Sequence, residues 1–410
     1  MMTHEVYNAD NIDFLDHWGN SDNGKESIDL CYIDPPYNTG NSAKTFVYHD
    51  CFKKTGTQTR HQVWLDFMRP RLEKTLPLLK RTGVVAVSID DSEVHHLRIL
   101  MDEIFGENNF IAQIVVDGGN VKNNARFVST THEYLLVYAK SQIALTKSGA
   151  KWRQQREGLA VLRKQEKVLR KKHGEDYPAL TADLKLWVKT APLSKRLKVF
   201  YNADANGLYT YADLSAPGNG GRYDVLHPES WNTVQVPSRG WGLSEDKMQK
   251  LIMDGLVIFG EGPDGHLKQP MKKLYLKDSK DQVIRSILAY PARSSTHLLE
   301  HILGKRNAFN NPKNLDMMKF IVDSMCPPDG TVLDYFAGSG STGHAVLELN
   351  ATENSNRTFV LCTNNENGIY DNVTKPRLDA VLSGKWMNGK TNKPKDEVIE
   401  YRVLKGKAKK

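Results

Sequence analysis

At 410 residues with 40% hydrophobic composition, the chain can bury one large core or two modest ones. No apolar run approaches the roughly 20 residues that span a bilayer, and residues 1–5 lack a basic stretch followed by an apolar one, so membrane and secretory classes are set aside and a cytoplasmic protein is expected. The net charge of +8 suits a polyanionic partner, and four cysteines without a C-x-x-C pair point to reduced thiols rather than disulfides or a metal site.

In chain order, residues 6–9 read as a short strand, and Asp10 with Asn11 can cap a helix over 12–18. The run Ile28-Asp29-Leu30-Cys31-Tyr32-Ile33 reads as a buried strand. It is closed by Asp34-Pro35-Pro36-Tyr37, because two prolines remove N–H donors and fix φ. A strand cut off there leaves the Asp34 carboxylate and the Pro35 carbonyl as acceptors without internal partners, beside the Tyr37 ring. Two acceptors and an aromatic face suit the exocyclic NH₂ of a base swung out of a duplex. A strand ending in a rigid turn is the plainer alternative. Residues 41–63 are polar, with Lys53, Lys54 and Arg60 among aromatics, and read either as a mobile loop over that site or as a disordered segment without a role. With Asn38, these three are the candidate DNA contacts of this region.

Residues 64–80 have helical spacing, which Pro70 and Pro77 should break or bend. A strand over 83–89, an amphipathic helix over 93–105 and strands over 110–116 and 134–138 follow. The alternation predicts an α/β fold, a mainly parallel sheet with helices on both faces.

Residues 141–200 hold 15 Lys and Arg against 5 Asp and Glu, an excess above the net charge of the whole chain. Such a patch attracts phosphates without reading sequence, although a solvated helical face has the same composition. Within it, Leu159, Val161, Leu162, Val168 and Leu169 form one apolar stripe, and Leu184, Leu186 and Trp187 mark a second helix. Residues 201–242 are rich in Gly, Asn, Pro and aromatics, so short strands and loops are expected. Arg222, Arg239 and Trp241 are candidate base or phosphate contacts there, with a structural role for each equally open.

Lys313 precedes a helix over 315–325. The run Thr331-Val332-Leu333-Asp334-Tyr335-Phe336-Ala337-Gly338-Ser339-Gly340-Ser341-Thr342-Gly343 reads as a strand, a glycine turn and a helix start. The glycines let backbone approach a ligand, and the helix N-terminus favours negative charge. The match to G-x-G-x-x-G admits a nicotinamide-dependent oxidoreductase, while the lack of a following lysine disfavours a P-loop. The next strand, 358–362, ends near Asn364, Asn365 and Glu366, and an acid there can hold ribose hydroxyls of NAD or S-adenosylmethionine.

Phe336-x-Gly338-x-Gly340 together with Asp34-Pro35-Pro36-Tyr37 resembles the amino-methyltransferases that act on DNA bases. The second motif precedes the first by about 300 residues, an order similar to the β group, a circular permutation of the Rossmann-like methyltransferase fold. Residues 83–91, 105–110, 129–140 and 361–367 resemble modification subunits of type III restriction systems, and the resemblance spares only the middle of the chain. It implies catalytic residues 1–144, a target-recognition insert over 145–295, cofactor-binding residues 296–402 and a basic tail over 403–410. It implies that Asp34, Pro35, Pro36 and Tyr37 grip the target base. It further implies that Asp10, Asp34, Lys313, Asp334, Phe336, Ala337, Gly338, Ser339, Gly340, Thr342, Asn364 and Glu366 hold S-adenosylmethionine, with Asp10 at the adenine amino group and Lys313 at the methionine carboxylate. The implied reaction is N6 methylation of a flipped-out adenine in double-stranded DNA, with a second copy or a restriction subunit as further partners. N4-cytosine methylation, which usually places Ser where Asp34 stands, and a catalytically silent DNA-binding module are the alternatives.

Overall fold

Strand Ile28–Ile33 is buried along its whole length, as its run of apolar and β-branched residues requires for a strand covered on both faces. It lies near the middle of a nine-stranded sheet. In spatial order the strands are Ile287–Ala289, Phe110–Asp117, His132–Ala139, Leu79–Ile89, Ile28–Ile33, Thr331–Asp334, Thr358–Thr363, Met2–Asn8 and Glu397–Val403. His132–Ala139 runs antiparallel to both of its neighbours, and every other adjacent pair is parallel. The expected mainly parallel α/β sheet is present.

Alternation along each strand feeds two cores. Leu30 and Tyr32 pack with helix Leu315–Met325 and helix Ser341–Glu353 on one face. Cys31 and Ile33 pack with helices Asn11–Gly19, Arg60–Thr75 and Val94–Phe105 on the other. Asp10 caps the first of these helices by accepting from the Ile12 N–H, and Thr59 with Gln62 forms a capping box on the second.

The computed structural model describes residues 2–21, 24–40, 52–54, 56–119, 126–156, 158–260, 269–278, 281–291, 293–353, 355–389 and 395–404. Most of the polar loop expected over 41–63, Cys51 and residues 405–410 lie outside them; of the tail expected over 403–410, Val403 instead closes the strand Glu397–Val403. Cys31, Cys326 and Cys362 are buried free thiols. Among the described residues no helix is long and apolar enough to cross a membrane.

The chain forms two compact units, Met1–Trp152 with Ile284–Lys410, and Arg153–Val283; the divisions expected at 145 and 295 fall several residues outside these. The second unit pairs helices Leu159–His173 and Tyr177–Thr190 around Leu162, Leu169, Leu180 and Leu184. It also holds a four-stranded antiparallel sheet and a smaller core around Leu214, Val225, Trp241 and Met248. Two further expectations need correction. Val161, Val168 and Leu186 are exposed rather than part of the apolar stripes, because only positions three, four and seven residues apart share the buried face. Helix Arg60–Thr75 runs through Pro70 without ending, since the packed face Trp64, Met68 and Leu72 outweighs the one missing hydrogen bond.

Candidate active site

The sheet places the two motifs side by side. Val332 and Leu333 pair with Leu30 and Cys31 in parallel register, so Asp34 and the glycine turn leave the same carboxyl edge. From Ile28–Ile33 the chain crosses to Leu79–Ile89 on one side, and from Thr331–Asp334 to Thr358–Thr363 on the other. This is a topological switch point, where open α/β sheets form their ligand crevice. A cavity of about 270 Å³ opens there, lined by Asp34 and Pro36 from one motif and by Asp334 to Ser339 from the other.

At one end Asp34 belongs to a four-residue cluster. Tyr37 Oη donates to Asp34 Oδ1 at 2.7 Å. Lys313 Nζ lies 3.1 Å from the same oxygen and 2.7 Å from Glu133 Oε2, and it donates to Tyr37 Oη at 2.6 Å. Burial raises the Asp34 pKa above the usual carboxylate value, Lys313 opposes the rise, and Glu133 adds to it. Burial works against the charge of Lys313, yet the two carboxylates outweigh it and its pKa is raised. Lys313, expected at a methionine carboxylate, thus sits with its charge on the Asp34 cluster while also lining the cavity. Below the cluster, the Trp64 indole N–H donates to the Pro36 carbonyl at 2.7 Å and pins the turn to helix Arg60–Thr75.

At the other end the glycine turn is held from within. Gly338 and Gly340 have φ of +47° and +77°, which L side chains rarely adopt. Asp334 accepts from the Phe336 N–H and from Thr342 Oγ1, so both residues brace the turn as well as facing the cavity. Burial lifts the Asp334 pKa to about 7. Beneath the turn, the buried Arg377 guanidinium donates to the Ser339 carbonyl, Ser339 Oγ, Ser341 Oγ and His344 Nδ1. Burial lowers its pKa to about 9, and burial beside that cation keeps His344 neutral, with its pKa well below the ordinary value.

Asp10, Phe336, Ala337, Gly338, Ser339, Asn364 and Glu366 all line the cavity, and Gly340 shapes the turn behind it. Four residues join the site without a signal in the sequence: Glu133, Arg71, Phe309 and Arg377. Arg71 donates to Asn11 Oδ1 at 2.8 Å and lies over the Phe67 ring, and both Arg71 and Phe309 line the cavity. Each comes from outside either motif, so no local spacing marks it.

The expected DNA contacts divide. Lys53, Lys54, Arg60, Arg222 and Arg239 are exposed; Arg222 donates to the Ser238 carbonyl and Arg239 to Ser215 Oγ. Asn38 is fully buried and donates to Glu93, so its side chain braces the turn instead of facing solvent. Trp241 is a core residue of the second unit, 1% exposed, with its indole N–H on the Tyr223 carbonyl. A large aromatic with a satisfied N–H belongs inside.

A family model described as DNA methylase matches residues 28–371. The chain belongs to the DNA methylase family. The chain is 31% identical to the type II methyltransferase M.KpnI of Klebsiella pneumoniae, over 88% of its own length and 80% of the relative's. It is 33% identical to the StyLTI Mod subunit of a Salmonella typhimurium type III restriction-modification enzyme, over 87% of its own length. It is 28% identical to the Escherichia coli EcoP15I Mod subunit, over 93% of its length. The chain spans 51% of the StyLTI subunit and 60% of the EcoP15I subunit.

Proposed function

We propose that the chain transfers a methyl group from S-adenosylmethionine to N6 of an adenine extruded from duplex DNA. The observation that carries this reading is the shared cavity joining Asp34 to the glycine turn.

The residues present fit the donor. Phe336, Phe309 and Ala337 supply apolar walls, Asp10 and Glu366 supply acceptors for amino and hydroxyl groups, and the start of helix Ser341–Glu353 suits a carboxylate. Arg377 adds positive charge there, because its hydrogen-bond partners are neutral. When bound, S-adenosylmethionine supplies an electrophilic methyl group on a sulfonium.

Adenine N6 is a poor nucleophile because its lone pair is delocalised into the ring. Asp34 and the Pro35 carbonyl accept the two amino hydrogens and turn the lone pair toward the donor side of the cavity. The Pro36 carbonyl is already taken by Trp64. Tyr37 offers its ring to the extruded base. Lys313 favours the ionised form of Asp34, the form that accepts without donating. The work is orientation and placed charge. The second unit serves target recognition in this reading, and a restriction subunit is its natural partner if the chain acts as the Mod subunits do.

Incubation with methyl-labelled S-adenosylmethionine and duplex DNA, followed by nucleoside analysis, tests the proposal. N6-methyladenine is the expected product. N4-methylcytosine would transfer the reading to the cytosine reaction, and DNA binding without methyl transfer would overturn catalysis.

A further inference from the structure

A second cluster of polar side chains lies behind the Asp34 turn, outside the cavity. Glu93, the residue before helix Val94–Phe105, is fully buried. Its Oε1 accepts from Asn38 Nδ2 at 2.5 Å and lies 2.7 Å from His61 Nδ1. Its Oε2 lies 3.0 Å from His96 Nδ1. The His61 and His96 rings stack at 4.5 Å, so both present Nδ1 to one carboxylate. All three ligand atoms fall within 4.8 Å of one another.

The unusual feature is the Glu93–His96 contact. Although 3.0 Å apart, the two atoms do not align for a hydrogen bond, and Glu93 Oε2 and His96 Nδ1 are both enclosed and without a hydrogen-bond partner. Leaving a buried carboxylate oxygen and an imidazole nitrogen unsatisfied is costly. One cation between them would satisfy both.

We propose that His61, Glu93 and His96 bind a divalent transition-metal ion of the zinc class. Two imidazoles and a carboxylate are the donors such ions favour, and three protein ligands leave a fourth position for water. Zinc–ligand bonds of about 2.0–2.2 Å in a tetrahedron set ligand atoms about 3.3–3.5 Å apart. The present 2.7 and 3.0 Å contacts therefore open by about 0.3–0.8 Å on binding, and the rings turn out of their stack. Both histidines retain the freedom to do so, with side chains 30% and 40% exposed. On binding, the proton on each Nδ1 is released or passes to Nε2, and the 3.5 Å contact from Arg60 to His61 Nε2 is given up. Asn38, on the residue after Tyr37 and at φ +56°, becomes the outer-shell donor to the ligand carboxylate. The ion would thereby clamp the turn that carries the catalytic motif.

Glu93 and His96 have the Glu-x-x-His spacing of metal ligands, but a short pair of this kind is not specific, and the third ligand, His61, lies 32 residues before Glu93. The test uses the untagged 410-residue chain, stripped with chelator and titrated with Co²⁺ alone, then reloaded with Zn²⁺ and desalted. The expected result is an intense visible cobalt spectrum of low coordination number and one retained zinc per chain. His61→Ala and His96→Ala should each lose both signals, whereas His95→Ala, an exposed neighbour on the same helix, should keep them. Circular dichroism of each variant confirms folding, and His61→Gln and His96→Gln repeat the loss with less change in volume. Absence of the cobalt bands in the wild-type chain, or retention unchanged in the His61 and His96 variants, overturns the proposal.

Discussion

Asp34 is a carboxylate whose charge depends on two neighbours pulling in opposite directions, Lys313 and Glu133. In the proposed reaction Asp34 acts ionised, so activity falls as pH drops through its raised pKa. Glu133→Gln removes a repelling charge, lowers the Asp34 pKa, and should move the acid limb of kcat/KM to lower pH. Lys313→Met removes the stabilising cation and should move the same limb to higher pH. A pair of pH–rate profiles checks both signs, and shifts in one common direction would contradict the electrostatic role of the cluster. Asp34 and Tyr37 are legible in the sequence because the motif is contiguous and its proline chemistry is local. Glu133 is not, because it enters from an antiparallel strand, and only the paired sheet brings it to Lys313. Asn38 and Trp241 mislead for one shared reason. A polar or aromatic residue in a loop-like sequence looks accessible until its hydrogen-bond partner is known.

At the scale of the element, the glycine turn depends on a buried acid. Asp334 has its pKa raised from 3.8 to about 7 by burial. The stability it contributes is therefore full below its ordinary value and is lost as pH rises through about 7. Thermal melts should show wild-type stability declining across that window, by on the order of a few kcal/mol. Asp334→Asn, which keeps an acceptor without the charge, should flatten the decline. Equal slopes in the two proteins would show that Asp334 ionises without penalty. The turn itself is legible from strand, glycines and helix start, and helix Leu315–Met325 and strand Ile28–Ile33 fall where their periodicity places them. The continuity of helix Arg60–Thr75 through Pro70 is not, because tertiary packing decides it.

For the whole molecule, the circular order of motifs is legible, and the sheet explains why it works. Distant segments become adjacent parallel strands, so the crevice forms wherever the chain is opened. The basic excess of the second unit also has a defined face. Lys164, Lys167 and Lys171 are basic residues at helical spacing along Leu159–His173, away from the buried Leu162 and Leu169. Replacing all three with Gln should weaken DNA binding about equally for every sequence and shallow the salt dependence, by a slope of about 1 for each phosphate no longer neutralised. Titrations at several salt concentrations read both quantities, and an unchanged slope would assign the stripe to solvation.

In the proposed reaction Asp34 holds the base while the glycine turn holds the donor, in one cavity but on separate strands. Calorimetric S-adenosylmethionine binding and methyl transfer, measured together on Asp34→Ala, test this directly. The predicted result is measurable donor binding with transfer reduced by at least about 10²–10³-fold, the scale of losing a placed polar group. Normal methylation of DNA by that variant would contradict it.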